Sequence, residues 1–200
     1  MRAIRIGVGH VLLCAALAAS GCGRGNSAAA PAAAPPPLLT SATIKDIMDS
    51  MVDPSADYLF EAVAIVGDEH GVTERAPHTD EEWLEVRRRA VQLLEAPNLL
   101  VMHGRTVARP EDASKNPNIE LEPSQVQALI DADRPAFATR ARALQDAATL
   151  ALKAIDAKDK DALFQASDGI DQACENCHLR YWYPNDERAQ AAAAARAAGK

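Results

Sequence analysis

Cys174, Cys177 and His178 stand in the run Cys-Glu-Asn-Cys-His. Two thiols three positions apart lie on one side of a helix, and a histidine next to the second and four positions from the first joins them there. Each thiol can then bond one vinyl group of a porphyrin while the His178 imidazole is aimed at the iron, and C-x-x-C-H is the attachment signature of a c-type haem. Three other chemistries use part of this pattern. A zinc site needs four ligands and would have to recruit a distant histidine such as His103. A thiol–disulfide pair of the thioredoxin kind wants a βαβ setting, which this sequence lacks. A structural disulfide between residues so close constrains little chain.

The start of the chain favours haem. Residues 1–21 run from basic Arg2 and Arg5 through an apolar stretch, Val8 to Ala19, to small residues, the pattern of a secretory signal peptide. The stretch is shorter than the roughly 20 apolar residues that span a bilayer, which makes a retained membrane helix the weaker alternative. Ala19, Ser20, Gly21 and Cys22 resemble a bacterial lipobox, although the pattern prefers Leu where Ala19 stands. The resemblance implies that Cys22 is lipidated and becomes the mature N-terminus, with several acyl chains giving stable attachment. Gly23, not an acidic residue, comes next, which by the same resemblance implies the periplasmic side of the outer membrane. A soluble form cleaved nearby is the alternative. Cys14 is discarded with the signal. Residues 22–39 are rich in Ala, Gly, Ser and Pro and read as a lipid-anchored tether.

The remaining chain must position the motif. The full chain of 200 residues suits one domain, and aromatics are 4% of it against 48% hydrophobic residues, much of that alanine. Close-packed helices are favoured over a β-sandwich. The formal charge is −7 with histidine neutral; Arg2 and Arg5 are the only Lys, Arg, Asp or Glu side chains before Cys22, so the rest carries 19 Lys and Arg against 28 Asp and Glu, or −9. Nucleic acid is excluded as a natural partner on that balance. Four cysteines are too few for a disulfide scaffold.

Spacings of three and four link Ile44, Ile47, Met48, Met51, Ser55, Tyr58, Ala62, Ile65 and Val66, predicting one helix with an interruption near Val52 and Asp53, where Pro54 removes a backbone bond. Thr79 and Glu82 form a capping box for a second helix, about 80–103, bent at Pro97. Gly104 to Leu121 reads as a long surface crossover, and Pro123 to Asp133 as a short helix. A third long helix spans about 135–156, opened by Pro135 with Phe137, Leu144, Ala148, Ala151 and Ile155 facing inward; a fourth spans about 159–183 and stops at Pro184. His70 and His78 fall in loops. The expected fold is all-α, an antiparallel four-helix bundle over 40–184 with the haem near one end, succeeded by an Ala-rich charged tail, 185–200.

In an up-down-up-down bundle the start of the first helix and the end of the fourth share an end. Met48 is about five residues into the first and His178 about five residues from the end of the fourth, so Met48 comes opposite His178. A single C-x-x-C-H near the end of the last of four helices resembles the class II c-type cytochromes, the cytochrome c prime family and its low-spin relatives, over about residues 41–184. The family pattern places an aromatic and then a basic residue shortly after the histidine; Tyr181 fits the first, whereas Trp182 replaces the second, so no role for a basic residue there is carried over. Low-spin relatives use a methionine of the first helix as the second iron ligand, which the resemblance assigns to Met48. Met51, Met102, His103 or an open iron face are the alternatives, since a methionine on an apolar helix face also serves as core filler. His103 suits a solvated helix end equally well.

Arg105, Arg140 and Arg180 are candidate partners for the haem propionates. Tyr181, Trp182 and Tyr183 either pack around the haem edge or plug the end of the bundle. An iron held by His and Met is closed to ligands and passes single electrons, the expected function, with a redox partner protein to be met in the periplasm. An open face would instead bind a small gas such as NO or CO, and an idle motif would leave a structural lipoprotein. No substrate pocket with a general base is evident, so turnover catalysis is not expected. The resemblance also allows a homodimer through the first two helices.

Overall fold

The structure is a computed structural model that describes residues 36–69 and 71–199. The chain divides into two units, Met1–Pro37 and Leu38–Lys200, and every element below lies in the second. The expected signal peptide, Cys14, the lipidation of Cys22 and most of the 22–39 tether fall outside the described residues, as does His70. Among the described residues no helix is long and apolar enough to cross a membrane.

The described chain is mostly helical with one small two-stranded sheet. Helix α1, Ile44–Ile47, runs into a π turn, Met48–Val52, and on into α2, Asp53–Ala62. Thr43 starts this run through a capping box: its hydroxyl accepts from Asp46 N–H at 3.0 Å, while Asp46 Oδ2 accepts from Thr43 N–H at 3.0 Å. The interruption expected near Val52 and Asp53 is this π turn, in which Asp53 N–H reaches back five residues to Met48 O just before Pro54, whose nitrogen can donate nothing.

The first helix ends earlier than the spacing predicts. Ile65 and Val66 lie in strand β1, Ala64–Asp68, paired antiparallel with β2, Gly71–Arg75, in the register Ile65 to Glu74 and Val66 to Thr73. Ile65 is 64% exposed instead of buried on a helix face. The β-branched residues Val63, Ile65, Val66, Val72 and Thr73 prefer extended backbone, and Gly71 at φ 129° reaches a conformation open mainly to glycine. The three- and four-residue spacing merely coincided with a hairpin; the described chain is otherwise helical and compatible with the all-α class expected.

Helix α3 spans Asp80–Leu100, α4 Pro123–Ala132, α5 Arg134–Asp156 and α6 Lys160–Tyr181. The Thr79 and Glu82 capping box forms, with Glu82 N–H to Thr79 Oγ1 at 3.2 Å and Thr79 N–H to Glu82 Oε2 at 2.9 Å. Asp133 and Asp159 cap α5 and α6 through Ala136 N–H and Ala162 N–H. Helix α3 stops at Leu100, leaving Met102 and His103 beyond it. The tail forms a further exposed helix, α7, Glu187–Ala198, capped by Asp186.

Helix α5 packs most extensively against α6 and α3, and α3 also against α2. Ala90, Ala96, Ala148 and Ala151 are fully buried between them, which is how alanine serves this core: small side chains let the helix backbones approach closely. Leu59, Leu93, Leu163 and Ile170 supply the larger buried volume.

Candidate functional site

The site grows from the last two turns of α6. Cys174 and Cys177 are free thiols, and their neighbours along the helix are Ala173, buried, and Tyr181, buried edge-on against Phe137 with ring centroids 5.3 Å apart. Burial pushes the Cys174 thiol up to about 12, with the charges of Cys177 and Asp53 adding to it. Burial likewise raises Cys177 to about 11, against the opposing pull of Arg140. Both are therefore neutral thiols at ordinary pH, the reverse of the thiolate-forming cysteines of a thiol–disulfide exchange pair. Burial lowers the His178 pKa, with Glu175 pulling the other way, so its imidazole is held neutral.

Cys177 and His178 open on a cavity of about 240 Å³ with a largely apolar lining. Ile44 and Met48 border it from α1 and the π turn, Phe137 from α5, and Tyr181 and Trp182 from the end of α6. A second cavity of about 20 Å³ lies against Cys174, Leu100, Leu144 and Arg140 and shares Met48, Phe137, Cys177 and His178 with the first. The ends of four helical elements thus meet at one place, and Met48 borders both cavities together with His178. Met51 borders neither; it packs half-buried against the core. The wide turn between them is the physical reason, because an i→i+5 turn spends an extra residue and rotates the succeeding residues away from the face that a regular helix would keep.

The other expected residues are sorted by the same geometry. His103 is exposed and outside both linings. Met102 Sδ takes a contact from Arg105 Nη2 at 3.2 Å. Arg105 is buried, 6% exposed, and is spent on backbone: its Nε donates to Leu99 O at 2.6 Å and its Nη1 to Ala42 O. It ties the end of α3 to the start of α1 and is not free for an anionic group. Arg180 is exposed and outside the linings, whereas Arg140 lines the smaller cavity and donates to Asn176 O at 2.9 Å. Among the described residues no group of three or more His, Cys, Asp or Glu is arranged to hold a metal ion, so the zinc alternative finds no donor set there.

Two walls of the larger cavity escape sequence reasoning. Val126 and Ile130 contribute from α4, and Val107, Ala108 and Leu121 from the crossover. The crossover is held over the cavity by backbone bonds: Ile44 N–H to Thr106 O and Lys45 N–H to Val107 O, both 2.9 Å, and Leu121 N–H to Trp182 O at 2.7 Å. The first two satisfy N–H groups that the start of α1 leaves without intrahelical partners. Glu120 stiffens the loop. Burial alone would raise its pKa, yet hydrogen bonds from Asn116 N–H, the Ser114 hydroxyl and Lys115 N–H prevail and hold it below the usual carboxylate range. The apolar Val107, Ile119 and Leu121 near the two ends of a mainly polar stretch are the one signal that the loop borders a core.

His178 also meets three aromatic neighbours along the end of α6 and beyond it, Tyr181 through the shared cavity and two by ring contact. Trp182, 46% exposed, stands edge-on to its ring at 5.0 Å, and Tyr183 lies at 5.6 Å with its hydroxyl 3.4 Å from His178 Nδ1. Tyr183 is held well above the usual phenol range, first by burial and then by its hydrogen bond to Glu175. No protein-family model matches this chain, and neither a curated protein nor a solved structure matches it.

Proposed function

We propose that the chain is a monohaem c-type cytochrome that carries single electrons, with the haem bonded to Cys174 and Cys177 and the iron held by His178 and Met48. The observation that carries this reading is that Cys177 and His178 at the end of α6 and Met48 in the π turn border the same two cavities, with Cys174 on the smaller of them. The residues suit the group: two neutral thiols, a neutral imidazole and a thioether are the donors that covalent haem with His and Met ligation requires. When bound, the haem supplies a one-electron ferric/ferrous couple, whose potential thioether ligation raises.

The chain's own residues do the rest. Ile44, Val126, Ile130 and Phe137 give the cavity apolar walls, and Val107, Ala108 and Leu121 of the crossover border it. Met48 would be the second ligand and would then deny that face to small molecules. Arg140 lines the smaller cavity together with both thiols and is the candidate for a propionate. In this reading α1 with α2, then α3, α5 and α6, are the four members of an antiparallel bundle with its haem at one end, as in the class II c-type cytochromes that the motif resembles. Residues 1–21 export the protein, lipidated Cys22 anchors it on the periplasmic side of the membrane, and a partner protein exchanges electrons with it; it turns over no substrate.

Absorption spectra of the protein produced in a host that attaches haem c, recorded ferric and ferrous with and without CO, test this. The expected result is a covalent, low-spin haem indifferent to CO. A high-spin spectrum that shifts on adding CO makes the protein a five-coordinate gas binder instead, and no covalent haem at all removes the reading.

A further inference from the structure

Resting on the haem reading above, we infer that Tyr183 and Glu175 are positioning residues for His178, holding its imidazole in the tautomer that carries the proton on Nδ1 and leaves the Nε2 lone pair free for iron. The backbone brings them together. His178 O accepts from Trp182 N–H at 2.8 Å and from Tyr183 N–H at 3.0 Å, and the second bond, spanning five residues, turns the chain at the end of α6 so that the Tyr183 ring returns to the imidazole. Glu175 lies three residues before His178, one turn back on the same side of the helix.

The proton inventory then fixes the tautomer. The Tyr183 hydroxyl donates to Glu175 Oε2 at 2.9 Å. A phenol has one proton, and a carboxylate can only accept, so that proton is committed to Glu175. What the Tyr183 oxygen presents to His178 Nδ1, 3.4 Å away at the long end of hydrogen-bond distances, is a lone pair. Only a protonated Nδ1 completes the contact. The second ring nitrogen is thereby left as the acceptor, and the tautomer is set by the hydrogen bond that the other nitrogen makes. A carboxylate acting through a hydroxyl on Nδ1–H also makes the imidazole a stronger donor of electron density, which favours the ferric state and lowers the potential.

Two readouts test this. In the full chain made without haem, long-range proton–nitrogen correlation of the His178 ring is expected to show the Nδ1–H tautomer, and Tyr183→Phe to give a mixture of both. In the chain matured with haem, Tyr183→Phe is expected to raise the midpoint potential by about 59 mV, the one-electron equivalent of a ten-fold change in the ferric/ferrous ratio, and Glu175→Gln to move it in the same direction. Wild-type potentials in both variants, or the Nε2–H tautomer in the unmodified chain, overturn the inference. Failure of the wild type to attach haem overturns the preceding reading instead, and the nitrogen shifts then decide the tautomer alone. Should circular dichroism show that Tyr183→Phe does not fold, Glu175→Gln, which keeps the side-chain volume, decides it.

Discussion

Met48 and His178 border the same two cavities, one from the π turn near the start of the fold and the other from the end of α6, 130 positions later in the chain. A methionine three residues on, Met51, has the same chemistry and the same apparent face, yet borders neither. The wide turn separates them, so the two side chains give different experiments.

In the haem-loaded protein, Met48→Ala is expected to convert a low-spin iron into a high-spin one that binds CO. Met51→Ala is expected to lower stability through lost packing while the spectrum stays low-spin. Absorption spectra with and without CO check both. If Met51→Ala opens the iron and Met48→Ala does not, the assignment of the ligand is reversed.

Before haem attachment, Cys174 and Cys177 should react slowly. With pKa values raised to about 12 and about 11, their thiolate fraction near neutral pH falls on the order of a hundred-fold or more below that of a free cysteine. Iodoacetamide labelling of the folded, reduced chain and subsequent mass spectrometry measure it. Labelling at the rate of a free thiol would mean a reactive pair and would revive thiol–disulfide exchange.

Arg105 is a structural cation, not a ligand for an anionic group. Arg105→Met leaves Leu99 O and Ala42 O without their charged donor, which costs about 2–3 kcal/mol for buried acceptors of this kind. Denaturant unfolding monitored by circular dichroism reads the loss. A stability equal to that of the wild type would show that water replaces the guanidinium at no cost.

The α3 cap makes stability depend on acid. Hydrogen bonds from His78 N–H and Thr79 N–H hold the Glu82 carboxyl below its ordinary 4.5. A carboxyl depressed in the folded state contributes stability that is fully present above the unfolded value and is lost as pH falls through the folded one. Melting temperatures measured downward from about pH 6 should therefore decline less steeply below 4.5 in Glu82→Gln than in the wild type. Parallel curves for the two proteins would remove Glu82 from the account.

The close approach of α3, α5 and α6 depends on side-chain size. Ala148 is fully buried, and Ala148→Leu forces three more carbons into a filled interface, at a cost of about 1–3 kcal/mol. Thermal unfolding checks it, and an unchanged melting temperature would mean that the helices separate without penalty.

Local chemistry is what the sequence determined. Cys174, Cys177 and His178 converge by the geometry of a helix, Thr79 and Glu82 cap by their spacing, and α5 and α6 arise from apolar periods of three to four; each is a relation among residues close in the chain, so its physics is complete without the rest of the fold. The tertiary structure decided whatever depended on partners far away. Whether Ile65 and Val66 continued a helix or turned into a hairpin rested on their pairing with Glu74 and Thr73 across the Gly71 turn, and period alone cannot weigh that. Whether Met48 or Met51 reached the His178 cavity rested on one extra residue in a turn before Pro54, which rotates a face without altering the pattern of residue types. Arg105 looked like any basic residue near a helix end until Leu99 O and Ala42 O were brought to it. The crossover read as surface because its hydrogen bonds join residues some 60 positions apart, from Ile44 to Thr106 and from Leu121 to Trp182. Only folding sets those partners, and they make a polar loop into the wall of the cavity.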